Sequence, residues 1–574
     1  MRRGARALLL VAAGACAACA LVYELALIAL GGVLIGSTVT QTSLVISTFV
    51  FSLGIGALAA KPLLPRPLAS FVLVESGVAL VGGFSVLACY AAFAYTGVYT
   101  PAVIVMSFVC GLLVGAEMPL LMELLQRIRR QAAARAVADL TAADYVGALV
   151  GGLSFPFLLL PLLGQLRGAL AAGLVNLACA ALIVLVVFGP DLDRRRRAAA
   201  ATVLLAGAIV MALGLAYAGR FEVSARQQLY DDPIVHSERT PYQEIDVTES
   251  PTFGGTPDVR LFLNGDLQLS SRDEYRYHEA LVHPTIAASR DRIAGGGTTG
   301  SADRRAAGTA SAPGDGPAAD DGLRVLVLGG GDGMAVREVL RHRDVTHVDV
   351  VDLDPAVTRL ARSDPRLRRM NAGSLDDRRV RVTNADAFGW VRERSSDAPA
   401  SERFAAVIVD FPDPDDQGLA RLYSAELYGM IRTRVLAPGG VMVVQSGSPY
   451  FAADAFWSVG ETLRLAGWRA RPYHVDVPTF GDWGYWLAGR ATGSVPGDRP
   501  PAGATDDAPG DDGADRDAPP LMLGTPPDGL RFLDADVLRA AAVFPPDRGP
   551  RDVGPTTLDR PRILDYTRRG WSDY

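Results

Sequence analysis

Long apolar runs recur through the first part of the chain, and they restrict its fold more than any other feature of the sequence. A helix needs about 20 apolar residues to cross a bilayer. Seven runs approach or exceed that length, at 8–34, 42–60, 68–94, 101–121, 141–163, 168–188 and 198–219. The sequence therefore predicts an α-helical multi-pass domain at 1–220, with about seven helices in contact with the lipid of the cell membrane.

Charged residues in the links between these runs alternate along the chain. The N-terminus and the links 61–67, 122–140 and 189–197 are basic, whereas the links near 35–41 and 95–100 carry no charge. The positive-inside rule places basic links in the cytoplasm. Seven crossings would then put the rest of the chain outside.

Three carboxylates, those of Glu24, Glu75 and Glu117, lie within or at the end of the apolar runs. Because a carboxylate in a membrane is costly, a proton or cation pathway is one interpretation. A hydrogen bond between helices, or a position near the membrane surface, explains them equally well. Both interpretations stay open at this point.

Residue usage excludes several kinds of chemistry from the second half of the chain. The net charge of −6 argues against steering of nucleic acid by the overall field. Lys61, the only lysine, and all five cysteines fall in the first half. The second half therefore has no Schiff-base lysine, no thiol nucleophile and no zinc-thiolate site. We also expect no metal at His278 and His283, because residues five apart lie about 140° apart on a helix.

The second half divides into segments of different composition. Alternating apolar residues at 221–290 predict a small subdomain of antiparallel strands, with Asn264-Gly265 as a hairpin turn. Segments 291–322 and 492–520 are low in apolar residues and predict disorder. Between them, 323–491 alternates strands and helices, and 521–574 forms a C-terminal segment. We predict an α/β Rossmann-like, methyltransferase-type fold for 323–491, a doubly wound parallel sheet with its ligand site at the carboxyl ends of the strands.

A glycine turn follows the first strand of that sheet. The segment Gly329–Gly333 reads G-G-G-D-G, so Asp332 stands where the pyrophosphate of a dinucleotide would lie. A carboxylate repels phosphate, which favours a cationic nucleoside without phosphate. Asp352, which ends the second strand 23 residues after Gly329, can bind both ribose hydroxyls.

Two further strand ends carry acids. Asp386 can accept a hydrogen bond from an adenine amine while the N–H of Ala387 bonds to the ring, although an Asp at this position is also a common helix cap. Asp410 and Asp413 follow the fourth strand in a loop that contains prolines. Paired acids suit a substrate with ammonium groups, and one of them can take a proton from an attacking amine.

Together these residues resemble the spermidine synthase (polyamine aminopropyltransferase) family, in the form with an N-terminal multi-pass membrane domain. The matching stretches occur in the order of the family: Tyr242-Gln243-Glu244, Leu263 to Gln268, Asp273 to Glu279, Gly329 to Gly333, Val351 to Asp354, Asp386-Ala387 and Asp410 to Pro414. The resemblance implies transfer of the aminopropyl group of decarboxylated S-adenosylmethionine to putrescine or another diamine. The products are spermidine and methylthioadenosine. The donor is a co-substrate, and no cofactor is implied.

The resemblance also implies a role for each residue. Asp410 resembles the catalytic proton acceptor of the family. The polyamine-binding positions are His278, Asp332, Asp413, Tyr277 and Gln268. The positions that bind the donor and methylthioadenosine are Gln243, Asp352, Asp386 and Ala387. No metal-binding residue is implied, and the family generally forms homodimers through its N-terminal strands.

Three departures from the family pattern stand out. The insertion at 294–322 lengthens a short link, Asp415-Asp-Gln417 stands where the family usually has a further proline, and Pro478-Thr-Phe480 replaces the usual Pro-Thr-Tyr. These changes bear on the choice of amine acceptor more than on the type of reaction.

Two alternatives remain open. One is an S-adenosylmethionine-dependent methyltransferase on the same fold, and the other is a polyamine-sensing or polyamine-transporting membrane protein with an inactive synthase-like domain. The location of the catalytic domain is also in conflict. The supply of substrates favours the cytoplasm, whereas seven crossings favour the outside. We expect that one apolar run does not span.

Overall fold

The computed structural model describes residues 2–34, 39–96, 98–128, 133–251, 255–306, 322–490 and 518–571. The expected disordered segment 492–520 lies outside the described residues except at its end. The chain forms two compact units, Met1–Pro233 and Ile234–Tyr574.

The first unit is built from helices rich in Ala, Leu, Val and Gly. Their bounds are α1 (Arg2–Leu34), α2 (Val39–Ala59), α3 (Pro67–Thr96), α4 (Tyr99–Ile128), α5 (Ala133–Ser154), α6 (Leu160–Ala181) and α7 (Arg194–Gln227). π-helical turns at Phe155–Leu159 and Leu182–Val187 join α5 to α6 and extend α6. Among the described residues, six helices are long and apolar enough to cross a membrane, if Ala136–Val187 counts as one helix of 52 residues.

That fifth helix turns back on itself at Gly164. A straight helix of its length would extend about 78 Å, more than twice the thickness of a bilayer core. Gly164 has the non-helical angles φ 73° and ψ 179°. Beyond it, a Cβ on Gly168 would lie only 3.7 Å from the Cβ of Leu159. The chain therefore reverses between the predicted runs 141–163 and 168–188.

Close contacts between glycines fix the direction of α5 relative to α1. A Cβ on Gly147 would lie 1.9 Å from the carbonyl oxygen of Gly14, and one on Gly151 would lie 2.4 Å from that of Ala18. The residue numbers of the contacting positions increase together along the two helices, so α1 and α5 run in the same direction. Glycine here serves close helix packing.

The last helix again runs in the direction of α1. A Cβ on Gly207 would lie 3.2 Å from the side chain of Leu177, and one on Gly214 would lie 3.1 Å from that of Leu170. The residue number of the contact on α6 falls as the residue number on α7 rises, so α7 is antiparallel to α6. Since α6 reverses the direction of α5, the start of α1 and the end of α7 lie at opposite ends of this unit.

The second unit begins with a four-stranded antiparallel sheet in the order β1-β2-β3-β4. Its strands are β1 (Ile234–Arg239), β2 (Glu244–Glu249), β3 (Val259–Leu263) and β4 (Asp266–Ser270). The strand region therefore starts later than the predicted boundary at 221, because α7 continues to Gln227. Asn264 and Gly265 have φ 54° and 93°, as the predicted hairpin turn requires.

A seven-stranded sheet follows, with the order β10-β11-β9-β8-β5-β6-β7. Its strands are β5 (Leu323–Gly329), β6 (Val345–Asp352), β7 (Val380–Asn384), β8 (Phe404–Asp410), β9 (Leu436–Gln445), β10 (Trp468–Val477) and β11 (Gly481–Arg490). The prediction of an all-parallel sheet is wrong at one edge, since β10 and β11 pair antiparallel with each other and β11 pairs antiparallel with β9. The sheet is mixed, and its other five strands are parallel.

Helices lie between and after these strands. They are α8 (Glu274–Ala306), α9 (Met334–Leu340), α10 (Pro355–Ser363), α11 (Pro365–Met370), α12 (Ala387–Arg392), α13 (Gln417–Ala420), α14 (Ala425–Met430), α15 (Ala453–Leu465), α16 (Ala535–Ala541) and α17 (Arg562–Trp571). The structure corrects the prediction of disorder from 291, because α8 continues to Ala306. The remainder of that segment, 307–321, lies outside the described residues.

Strand β5 shows why this sheet can organise a site. Leu326 and Leu328 pack in the apolar cluster on one face of the sheet, and Val325 and Val327 pack in the cluster on the other. Its neighbours β6 and β8 lie on opposite sides, so the connections diverge at the carboxyl end of β5. Ligands of doubly wound sheets bind at such a switch point.

Candidate active site

The glycine turn after β5 is pressed against two of the predicted acids. Gly329 is paired with Asp410 across the sheet. A Cβ on Gly329 would lie 2.0 Å from the carbonyl oxygen of Asp410, and one on Gly331 would lie 2.5 Å from the Asp352 carboxylate. Gly329 also has φ +83°, which glycine adopts at little cost. The turn therefore needs glycine both for its backbone conformation and for space.

Asp352 is the last residue of β6, and each of its two carboxylate oxygens accepts a hydrogen bond from a backbone N–H. Its Oδ2 accepts from the N–H of Gly331 at 3.0 Å, and its Oδ1 accepts from that of Asp354 at 3.0 Å. Burial raises the pKa of Asp352 to about 6. The two backbone hydrogen bonds lower this pKa, and the charges of Asp332 and Asp354 raise it further. Each oxygen keeps a free lone pair for a ligand hydroxyl.

The predicted donor-site residue Gln243 lies next to this strand end. Its Nε2 donates to Oδ2 of Asp354 at 3.2 Å, and the hydroxyl of Thr240 donates to the same oxygen at 2.7 Å. Asp354 is buried and also caps α10 through the N–H of Ala356. The small antiparallel sheet is thereby fixed to the edge that carries Asp352.

Asp386 caps α12. Its Oδ2 accepts from the N–H of Gly389 at 3.0 Å, and its Oδ1 accepts from Arg421 at 2.8 Å. Asp386 therefore is a helix cap, which was one of the two interpretations of the sequence. A contact with an adenine amine would use the lone pairs of the Asp386 carboxylate that these two hydrogen bonds leave free. Ala387, the next residue, is buried at the start of the helix.

Asp410 lies at the end of β8 in direct contact with α8. The hydroxyl of Tyr277 donates to its Oδ1 at 2.5 Å. Burial raises the pKa of Asp410 to about 6, Asp332 adds to the shift, and His278 and the Tyr277 hydroxyl oppose it. A carboxyl group with this pKa is ionised at neutral pH and basic enough to accept a proton.

His278 is oriented by a chain of charged groups. Its Nδ1 lies 2.7 Å from the carbonyl oxygen and 3.0 Å from the carboxylate of Glu274, so Nδ1 carries a proton. Arg337 in turn donates two hydrogen bonds to Glu274, at 3.0 and 2.9 Å. Burial lowers the pKa of His278, but Glu274, with the charges of Asp332 and Asp410, raises it above its ordinary value overall.

The loop that carries Asp413 is fixed by two residues that the sequence analysis missed. Gln445, at the end of β9, donates to Asp413 at 3.3 Å and to the hydroxyl of Tyr423 at 2.7 Å. Tyr423 donates to the carbonyl oxygens of Phe411 and Pro412. Burial raises the pKa of Asp413 to about 6, with Gln445 opposing the shift and Asp415 adding to it.

The hairpin between β3 and β4 faces the same loop. Desolvation raises the pKa of Asp266, an exposed residue of this hairpin, to about 7, and the charges of Asp415 and Asp413 add to the shift. Gln268, two residues further on, donates to the carbonyl oxygen of Asp266 at 3.2 Å. The predicted cleft residue Gln268 is therefore on the hairpin that faces Asp413.

Phe480 lies beside Tyr277, with 6.3 Å between the ring centroids. Its loop is held by Thr479, which donates to Asp273 through its N–H and its hydroxyl at 2.7 and 2.9 Å. The residue that departs from the family pattern is thus in the same cleft as the Tyr277–Asp410 pair.

His283 belongs to a different cluster from His278. Its Nε2 lies 3.1 Å from Glu338 and its Nδ1 lies 2.9 Å from His342, all of them buried. The two histidines of the sequence pattern therefore have separate partners.

Of the residues that the sequence analysis missed, only Glu274 has a local signal, since it stands four residues before His278 on the same helix. Arg337, Gln445 and Tyr423 come from other elements, and their spacing in the sequence carries no information about the contact.

Within the described part of the chain, three acids of the candidate site lack a basic partner. Among the residues that the structure describes, no arginine, lysine or histidine forms an ion pair with Asp332, Asp410 or Asp413. Asp332 instead accepts from the N–H of Met334 at 2.7 Å. Unpaired carboxylates of this kind are costly unless a cation binds between them.

The fold and the acids at its switch point are compatible with a nucleoside-dependent enzyme that acts on cationic substrates. Residues 317–493 match the model of the spermine/spermidine synthase domain. The polyamine aminopropyltransferase 1 of Streptomyces coelicolor is 51% identical, over 100% of this chain and 96% of its own length. The polyamine aminopropyltransferase of Mycobacterium tuberculosis is 44% identical, over 99% of this chain and 97% of its own length.

The chain belongs to the polyamine aminopropyltransferase family, and it is a transferase. Both relatives match over the helical unit as well as the catalytic unit. A solved structure of spermidine synthase from Thermotoga maritima aligns with 59% of this chain and 88% of its own, with a TM-score of 0.39 and 19% identity.

Proposed function

We propose that this enzyme transfers the aminopropyl group of decarboxylated S-adenosylmethionine to putrescine, giving spermidine and methylthioadenosine. The observation that carries the choice of substrates is the set of unpaired carboxylates Asp332, Asp410 and Asp413. Donor and acceptor are both cations without phosphate, so they match a cleft of this charge.

Asp410 is the proposed proton acceptor. A protonated amine has no lone pair, so the acceptor must lose a proton before or during attack. The nitrogen then forms a bond to the aminopropyl carbon next to sulfur, and the carbon–sulfur electron pair stays on sulfur. The sulfonium becomes the neutral thioether of methylthioadenosine, and the proton goes to Asp410. The hydroxyl of Tyr277 holds that carboxylate in place.

Asp413 and Asp332 are the proposed ammonium-binding acids, and His278 is a further contact for the polyamine. Asp413 is held by Gln445, which leaves its second oxygen available. Asp332 accepts a backbone N–H through one oxygen only. Each acid can therefore bind an ammonium group without losing the contact that orients it.

The donor nucleoside is proposed to bind along the edge formed by Asp352, Gln243, Asp386 and Ala387. Asp352 supplies two oxygens to the ribose hydroxyls, and Gln243 lies beside it through Asp354. Asp386 accepts from the adenine amine and the N–H of Ala387 donates to the ring.

Phe480 and Asp415 are proposed to set the choice of acceptor. Phe480 offers no hydroxyl where the family usually has tyrosine, and it contacts Tyr277. Asp415 adds a negative charge next to Asp413. Both changes affect the distal part of the acceptor and leave Asp410 untouched.

The helical unit is proposed to be a membrane domain, on the basis of its six long apolar helices. Two catalytic units are proposed to associate through their N-terminal strands, as the family resemblance implies.

Binding of decarboxylated against intact S-adenosylmethionine tests the proposal against the methyltransferase alternative. We expect the decarboxylated donor to bind at least about tenfold more tightly, because the carboxylate of the intact donor meets the acids of the cleft; a tenfold ratio is about 1.4 kcal/mol. Calorimetry on the full chain measures both constants.

Asp332→Asn should reduce this preference, whereas the exposed Asp397→Asn should leave it unchanged. Tighter binding of the intact donor, with methylation of an amine, would favour the methyltransferase instead. Binding without any turnover would favour the polyamine-sensing or polyamine-transporting alternative.

A further inference from the structure

The helical unit contains a buried cluster of metal-binding side chains. Cys16 on α1, Glu75 on α3 and Glu117 on α4 each place one ligand atom so that all three atoms lie within 4.8 Å of one another. Their exposed fractions are 0%, 0% and 5%. Three helices that are far apart in the sequence therefore bring a thiol and two carboxyl groups to one point.

Polar atoms around this point lack partners. Neither carboxylate oxygen of Glu75 has a partner at hydrogen-bond geometry within the described part of the chain, although the Cys16 thiol and the Glu117 carboxyl group lie close enough to interact with it. Both side-chain polar atoms of Asn176 on α6 also lack a hydrogen-bond partner among the described residues, and this residue is fully buried. Asn176 stands one turn before Cys179, whose thiol interacts with that of Cys16. The unpartnered amide is thus at the same cluster.

This arrangement is unfavourable for the protein alone. Two carboxyl groups at this separation repel each other when ionised, and burial of an unpaired charge is costly. Among the described residues, no lysine or arginine pairs with Glu75 or Glu117. A cation between the two carboxyl groups removes the repulsion and satisfies the unpartnered oxygens.

We propose that Cys16, Glu75 and Glu117 bind one divalent transition-metal ion of the zinc class. The Cys16 thiolate and one carboxylate balance a charge of +2 at one point, and the second carboxyl group keeps its proton and binds through its carbonyl oxygen. A polyammonium ion, in contrast, spreads its charges along a chain. A thiol among the ligands favours zinc-like ions over calcium and magnesium, which prefer oxygen alone. Asn176 or Cys179 on α6 supplies a fourth ligand, as tetrahedral zinc requires.

The ion would connect α1, α3 and α4. Since it joins helices that no disulfide joins, its role is to fix the helical unit in one arrangement. The proposal concerns only this unit, so it stands independently of the transfer reaction in the catalytic unit.

Metal content of the purified full chain tests the proposal. The protein is expressed with zinc in the medium, extracted in mild detergent, purified through a tag without histidine and measured by elemental mass spectrometry. We expect about one zinc per chain. Cys16→Ser and Glu75→Gln should each lower the content at least about fivefold. The matched control Cys89→Ser, at a buried cysteine on α3 outside the cluster, should keep it.

Cobalt substitution of the unchanged chain gives a second readout that does not depend on whether the variants fold. A thiolate ligand produces an intense sulfur-to-cobalt charge-transfer band, which we expect in the wild-type protein. A folded wild-type chain with only trace metal and no such band would overturn the proposal. Full metal content in both folded variants would overturn it as well.

Discussion

At the scale of single residues, the cleft is built from acids whose protons are held more tightly than usual. The pKa values of Asp352, Asp410 and Asp413 are each raised to about 6, in every case first by burial. The sequence identified these three acids from their positions after strands. It could not show how strongly they are perturbed, because burial depends on Tyr277, Gln445 and other residues that are distant along the chain.

Activity should fall in acid because Asp410 must be ionised to accept a proton. We expect kcat/KM to fall below about pH 6, by up to about 100-fold per pH unit because Asp410 and Asp413 both have pKa values of about 6, while the corresponding fall in kcat occurs at lower pH. The fall in kcat occurs at lower pH because the ammonium groups of the bound substrates stabilise the ionised carboxylates and so lower their pKa values. A pH profile of both constants measures it.

Asp413→Asn should make the acid limb of kcat/KM less steep, since two carboxylates contribute to it in the unchanged enzyme. A profile that is flat between pH 5 and 8 would contradict the assignment of Asp410.

Asp410→Asn should increase thermal stability while it abolishes turnover. The pKa of Asp410 is raised from its ordinary value of 3.8 to about 6 on folding, so the buried charge lowers stability progressively as the pH rises from about 4 to about 6, and the full cost applies above pH 6. We expect the midpoint Tm to rise by about 2–4 °C at pH 8, equivalent to about 1 kcal/mol, and by less at pH 5. An equal change at both pH values, measured by calorimetry, would argue against the charge as its cause.

At the scale of elements, apolar runs predicted the parallel strands well. The sequence places the ends of three strands at the glycine turn from Gly329, at Asp352 and before Asp410, and β5, β6 and β8 end at these residues, because strands buried on both faces read as continuous apolar segments. The antiparallel strands β10 and β11 were missed, since their pairing is set by contacts with β9 and not by a local pattern. The Glu274–Arg337 contact was missed for the same reason.

The C-terminal segment is anchored to α8 by a single carboxylate. Glu279 is 1% exposed and accepts from the N–H groups of Arg531, Phe532 and Leu533 at 2.8, 3.0 and 2.9 Å. We expect Glu279→Gln to lower the free energy of unfolding by about 2 kcal/mol, because one buried charged acceptor serves three backbone donors. Denaturant unfolding measures the change.

Limited proteolysis should then cut the segment 521–574 faster in Glu279→Gln than in the unchanged chain. The control Glu461→Gln, at an exposed pair with Arg464, should change neither quantity. Equal stability of both variants would show that other contacts hold the segment.

At the scale of the whole molecule, the chain consists of two compact units. In the first, α1 and α7 run in the same direction, with the reversal at Gly164 between them. Among the described residues, six helices are long and apolar enough to cross a membrane, and if the unit does span one, the helix directions require an odd number of crossings. The sequence predicted the apolar runs, but the close helix contacts that fix their directions could not be read from it.

Reporters at the two ends of the chain test this arrangement. If the helical unit spans a membrane, a reporter before Met1 and one after Tyr574 should lie on opposite sides, because α1 and α7 run the same way. The basic links place the N-terminus in the cytoplasm. The supply of substrates places the catalytic unit in the cytoplasm as well, and the two reporters decide between this expectation and the helix directions. Two reporters on the same side would contradict the helix directions.

Turnover by the full chain is the most direct test of the central claim that Asp410 accepts a proton during aminopropyl transfer. The purified protein is incubated with decarboxylated S-adenosylmethionine and a panel of diamines, and methylthioadenosine and the aminopropylated amine are measured by mass spectrometry. We predict equal amounts of both products with putrescine, and a loss of at least about 100-fold in Asp410→Asn. Unchanged turnover in that variant, or no product with any diamine from a chain that binds methylthioadenosine, would contradict the account.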